Sequence, residues 1–118
     1  MNEVLKTFVE STGWREGVFA FGVRNAERTV LAKSRVKAFS NEALENALHT
    51  AANLSQNLER IHLNFGRMCL VYKNGLMHID RRLDGVYLVF FTARDEKSYD
   101  ADGLEKIFAE FRKLRLDS

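Results

Sequence analysis

Two Asx-Gly pairs set between apolar runs constrain this chain more than anything else in it. From Ile61 to Thr92 the apolar runs are broken at Asn74-Gly75 and Asp84-Gly85. Both pairs are strong hairpin signals, because a type I′ turn needs positive φ at its two central residues. Three successive antiparallel strands are predicted. Taking each pair as a two-residue loop sets Leu70 opposite Ile79, Cys69 opposite Asp80, Ile79 opposite Phe90 and Met77 opposite Thr92. Side chains alternate with period two, so one face collects Met68, Leu70, Tyr72, Met77, Ile79, Leu88 and Phe90. The other face collects Arg67, Cys69, Val71, His78, Asp80, Arg82, Tyr87, Val89 and Phe91. The first is a core face and the second is mixed. Gly66 interrupts the alternation of the first strand, as a bulge does.

The flanking segments complete one domain, residues 1–118. Val4, Leu5, Phe8 and Val9 recur at helical spacing over 2–12, and Gly13 suits a helix end. Gly17–Arg24 is apolar on both faces, as a central strand is, and Gly22 within it admits a close neighbour. Asn25-Ala26-Glu27 turns the chain into a second strand over 28–38. Ser40 is an N-cap for a helix reaching Leu58, with Leu44, Ala47, Leu48, Ala51, Leu54 and Leu58 on one stripe. Residues 93–101 are a polar loop. Asp102 with Glu105 reads as a capping box before a last helix that buries Leu104, Ile107, Phe108, Phe111 and Leu114. The order α-β-β-α-β-β-β-α makes an α+β fold with a five-stranded antiparallel sheet. The first and last helices, with the stronger apolar stripes, are expected on the core face of the meander and the middle helix on the mixed face.

The composition excludes several functions. No apolar run reaches the ~20 residues of a membrane helix, and the first residues lack a signal-peptide pattern, so a cytoplasmic protein without membrane insertion is expected. A single cysteine rules out an internal disulfide and a cysteine-rich zinc site. His49 and His62 have no ligand company at metal-binding spacing. There is no P-loop and no dinucleotide-binding glycine pattern, so neither a cofactor nor a metal is expected. A net charge of +2 does not argue for nucleic acid. The basic stripe Lys33, Arg35, Lys37, with Arg24 and Arg28 nearby, contains no aromatics and reads first as protection of a sheet edge.

Cys69, His78 and Asp80 share a predicted face and are the ingredients of thiol catalysis. A flat sheet offers no oxyanion hole, and no Gly-rich loop adjoins Cys69, so the expectation is a non-enzyme with no catalytic residues.

The element order, the Ala/Leu helix at 41–58 and the run Leu83-Asp84-Gly85-Val86-Tyr87-Leu88-Val89 resemble the roadblock family, the small dynein light chains and their bacterial relatives. The likeness covers nearly the whole chain. It implies a five-stranded sheet with the first and last helices on one face and the middle helix on the other. It also implies a non-catalytic dimer that scaffolds or regulates a small Ras-like GTPase. Many bacterial members carry Asp-Gly between the first two strands, where this chain has Asn25-Ala26-Glu27. A secretion-chaperone-like homodimer and a small-ligand sensor or enzyme are the alternatives, the former disfavoured by a pI near 8.8.

A homodimer is also suggested by the residues. If the first two strands lie beyond the last one, Ile61–Tyr72 is left as a long edge strand with few charges, a pairing hazard unless used. Antiparallel pairing of Gly66–Tyr72 with its own copy, with the middle helices meeting, would place Ala47, Ala51, Leu54, Leu58, Arg67, Cys69 and Val71 at the interface.

Overall fold

A computed structural model describes residues 2–25, 27–36, 39–61, 67–73, 75–82 and 84–115. The elements follow the expected order: α1 (Asn2–Thr12), β1 (Val18–Arg24), β2 (Thr29–Ser34), α2 (Asn41–Arg60), β3 (Arg67–Tyr72), β4 (Gly75–Arg81), β5 (Tyr87–Thr92) and α3 (Ala101–Lys113). A single 3-10 turn, Glu96–Ser98, precedes α3. The predicted bulge at Gly66, the position of His62, the turn residues Ala26 and Asn74, and Lys37 lie outside the described residues.

All strand pairs are antiparallel, in the order β2-β1-β5-β4-β3. The N-terminal hairpin therefore does lie beyond the last strand, and β3 is a sheet edge. Helices α1 and α3 cover one face, where Leu5, Val9, Phe21, Val23, Leu88, Phe90, Ile107, Phe108 and Phe111 form one core. Helix α2 covers the other, over Ala20, Ile79, Tyr87, Val89 and Phe91. β5 is buried along its full length, as a strand covered on both faces must be.

The turn register needs two corrections. Tyr72 pairs with Gly75 and Leu70 with Met77, so β3–β4 is shifted by two residues from the expected pairing and Cys69 faces His78 rather than Asp80. A two-residue shift keeps each side chain on its face. At the second turn Arg81 pairs with Tyr87 and Ile79 with Val89, a slip of one. The cause is the loop. Arg82 N–H donates to Val86 O at 2.9 Å and Gly85 N–H to Arg82 O at 3.0 Å, and Gly85 has φ +84°. This is a three-residue loop ending in a left-handed glycine, not a two-residue type I′ turn. A one-residue slip exchanges faces. Met68, Leu70, Tyr72, Met77 and Ile79 consequently pack toward α2, whereas Leu88 and Phe90 stay under α1 and α3.

Other differences are local. β2 ends at Ser34 instead of reaching residue 38, because the Ser34 hydroxyl accepts from Val36 N–H at 3.2 Å and donates to Val36 O at 3.1 Å. α3 is capped by Asp100, whose carboxylate accepts from Gly103 N–H at 3.0 Å, not by Asp102. A Cβ at Gly103 would sit 2.1 Å from Asp100 Oδ2, so the glycine is what lets this cap close. Gly22 does admit a close neighbour: a Cβ there would meet Leu48 Cδ1 at 2.5 Å. Its absence lets α2 lie directly on β1.

Candidate interaction surface

β3 exposes its outer flank and divides its side chains between the faces. Met68, Leu70 and Tyr72 pack toward α2. Arg67, Cys69 and Val71 point to the opposite face, toward α3. Cys69 is exposed and Val71 is 65% exposed. Arg67 is anchored: its guanidinium lies 3.8 Å from the centre of the Phe108 ring and bonds both oxygens of Glu105, at 2.8 and 3.1 Å.

On α2, Ala51 is buried against the chain's own sheet and Ala47 packs beside it, while Leu54 and Leu58 are half-buried. Ala51 thus faces inward, with Ala47 half-buried beside it. The outer face of α2 beyond its second turn is polar, with Asn46, His49, Thr50, Asn53, Gln56, Asn57 and the basic Arg60 exposed. Ile61, just past its end, is 62% exposed. Of the residues predicted for a partner, Cys69 and Val71 are open, Leu54 and Leu58 are partly so, and Ala51 is not.

Cys69, His78 and Asp80 do not form a catalytic triad. Cys69 and His78 are opposite one another, but the imidazole is engaged elsewhere. His78 Nε2 lies 2.9 Å from Thr92 Oγ1, and the Thr92 hydroxyl donates to Ala93 O at 3.0 Å. Having spent its proton, that hydroxyl accepts from Nε2–H, which leaves Nδ1 as the acceptor facing Arg67 Nη2 at 3.5 Å. His78 is neutral in this arrangement. Burial and the Arg67 charge lower its pKa to about 4, against a pull upward from Glu105. The Cys69 thiol is raised by partial burial, with Arg67 drawing it back. Asp80, with no exposed surface, meets Arg112 Nε at 2.8 Å. Burial raises the Asp80 pKa although Arg112 and Arg67 oppose it. No cluster suited to a metal occurs among the described residues, and no described helix is long and apolar enough to cross a membrane.

The His78 shift makes stability pH-dependent. The unfolded imidazole takes up a proton near pH 6.5 and the folded one only near about 4. Across that window the unfolded state binds more protons, so stability falls as pH falls, by up to roughly 3 kcal/mol. His78→Gln, which keeps a donor and an acceptor but does not titrate, is expected to flatten this part of the curve. Denaturant titrations at successive pH values measure it, and an unchanged slope in the variant would contradict the assignment.

The central sheet carries two helices on one face and one on the other, and ends at β3. The chain has the roadblock fold. It matches a roadblock/LC7 domain from Streptomyces avermitilis at TM-score 0.61 and 13% identity, over 96% of this chain and 92% of that one. It matches Myxococcus xanthus MglB at TM-score 0.60 and 10% identity, over 98% and 92% of the two chains. It matches the gliding protein MglB of Thermus thermophilus at TM-score 0.58 and 13% identity, over 94% and 84%. No protein-family model matches the sequence, and no curated protein matches it either.

Proposed function

We propose that the chain is a non-catalytic, dimeric interaction module that binds and regulates a small Ras-like GTPase, as the resemblance to the roadblock family implies. The observation that carries this reading is a complete roadblock fold whose β3 edge leaves Cys69 and Val71 open. A structure of MglB with a tetrameric arrangement, 12% identical over 94% of this chain, supports self-association of such a domain. The engaged His78 and Asp80 support a role without catalysis.

Two copies would join β3 to β3 antiparallel about a two-fold axis, with Leu54 and Leu58 of the α2 helices flanking the seam. A stable interface of this kind buries on the order of 1,200–2,000 Å² in total. Gel filtration with light scattering is expected to show a dimer at tens of micromolar, and Val71→Arg to shift it to a folded monomer. A monomeric native chain ends the dimer proposal. If the strands pair over 66–72, their two-fold falls at residue 69. Opposed Cα atoms in an antiparallel pair are about 4.5–5.5 Å apart, within disulfide range. A mild oxidant is then expected to link Cys69 to its copy, with the link absent in Cys69→Ser. A dimer that fails to link has another register. The GTPase reading is tested separately, by binding to Ras-like GTPases encoded beside this chain and by their rate of GTP hydrolysis with and without it.

A further inference from the structure

The sheet has a second open edge, β2, at the end opposite β3. It carries positive charge that is largely unmatched: among the described residues its one ion pair is the long Lys33–Glu10 approach. Arg67, Arg82 and Arg112, on the α3 side, each lie within 3.2 Å of a carboxylate. At the β2 end, among the described residues, Arg24 bonds Thr29 and His49, and Arg28 is exposed. Arg35 rests over the Trp14 ring at 4.2 Å. Lys33 has only a 3.9 Å approach to Glu10, with both side chains about half exposed.

Edge protection explains the charges but not their company. Trp14 is 38% and Val36 37% exposed, two of the few large apolar side chains left open. Between β2 and the start of α2 lies an open hollow of about 310 Å³ lined by Ser34, Arg35, Val36, Phe39 and Ser40. Cations beside a stacked aromatic, an open valine and a hollow are features of a docking edge. The backbone is placed for it. Arg35 N–H points inward to Phe19 O, and Phe21 pairs with Lys33. By the alternation of an antiparallel ladder, the backbone groups of Ala32 and Ser34 point outward. Lys33 and Arg35 stand two residues apart on the α1 side, so a paired strand would meet them with alternate side chains.

We propose that β2 accepts an extended acidic segment of a partner protein as a sixth strand, with carboxylates at alternate positions facing Lys33 and Arg35 and an apolar side chain near Trp14 and Val36. This surface is separate from the β3 edge and from the GTPase reading. Trp14 is the single tryptophan of the chain, so its emission reports on the site. The probe is a ten-residue peptide alternating glutamate with valine, compared with its lysine counterpart and with oligothymidylate of equal charge. The acidic peptide is expected to shift Trp14 emission saturably, and the lysine peptide to leave it unchanged. Lys33→Glu with Arg35→Glu is expected to weaken binding about tenfold or more, since each charge pair is inverted. Ser34→Pro removes an outward N–H, a change an edge strand tolerates, and is expected to weaken binding comparably while circular dichroism stays native. If it does not fold, the charge reversal alone decides. The proposal is overturned by an unchanged emission, by native binding in either folded variant, or by oligothymidylate binding as tightly as the peptide.

Discussion

Phe108→Ala is expected to cost about 3–5 kcal/mol, as truncation of a large buried aromatic does. The ring is 1% exposed, stands edge-on to Phe90 with centroids 5.5 Å apart, and supports the Arg67 guanidinium from below. Removing it opens a cavity between α3 and β5 and takes away the surface on which Arg67 is laid out toward Glu105 and His78. A domain of this size has about 5–15 kcal/mol to lose, so the variant sits near the edge of folding. Urea titration measures it. A loss below about 1 kcal/mol would mean that α3 is not seated on the sheet as described.

Arg112→Ala is expected to cost about 3 kcal/mol near neutral pH, because it leaves the fully buried Asp80 carboxylate without its counter-ion. Half the arginine side chain is exposed, so little of this loss is packing. The sign with pH follows from Asp80, whose folded pKa is already raised by burial. A group with a raised folded pKa binds its proton more readily in the fold, so the cost of its charge is felt above that pKa and relieved below it. The difference between variant and native protein should therefore shrink from neutral to acidic pH, because a protonated Asp80 no longer needs Arg112. Taking the difference cancels His78, which acts in the opposite direction in both proteins. An equal deficit at both pH values would show that Arg112 acts through something other than the charge.

The kind and order of the elements along the chain were legible in local pattern. The stripe Leu44, Leu48, Ala51 does meet the sheet, and Gly22 does mark a close approach. What local pattern could not decide was parity at the turn 82–86. Leu83-Asp84-Gly85 supplies the glycine that both a two-residue and a three-residue loop require, and only the bond from Arg82 to Val86 separates them. One extra residue moved Ile79 and Met77 to the other face. Asp100 and Asp102 are equally good caps by type, and the space at Gly103 chooses between them. The surface was harder to see. Val71 and Val89 look alike in sequence, yet one is 65% exposed and the other fully buried, because β3 is an edge and β5 is central. The environments of His78 and Asp80 come from residues near the other end of the chain, Glu105 and Arg112, which no local pattern on β4 reports.

The placement of β5 has a consequence for how the molecule is made. β1 is synthesised early and pairs at once with β2, but its other edge bonds β5, with Val18 meeting Thr92. Between them in the chain stand α2, β3 and β4. Loop closure over so long a stretch makes this pairing a late event, and topologies rich in such contacts fold slowly. Until Thr92 has left the ribosome, the N-terminal hairpin and α2 hold a half-sheet whose open side is an apolar strand bearing Phe21 and Val23. A chain interrupted before Tyr87 would lack the middle of the sheet rather than its end, leaving two hairpins with nothing to join them.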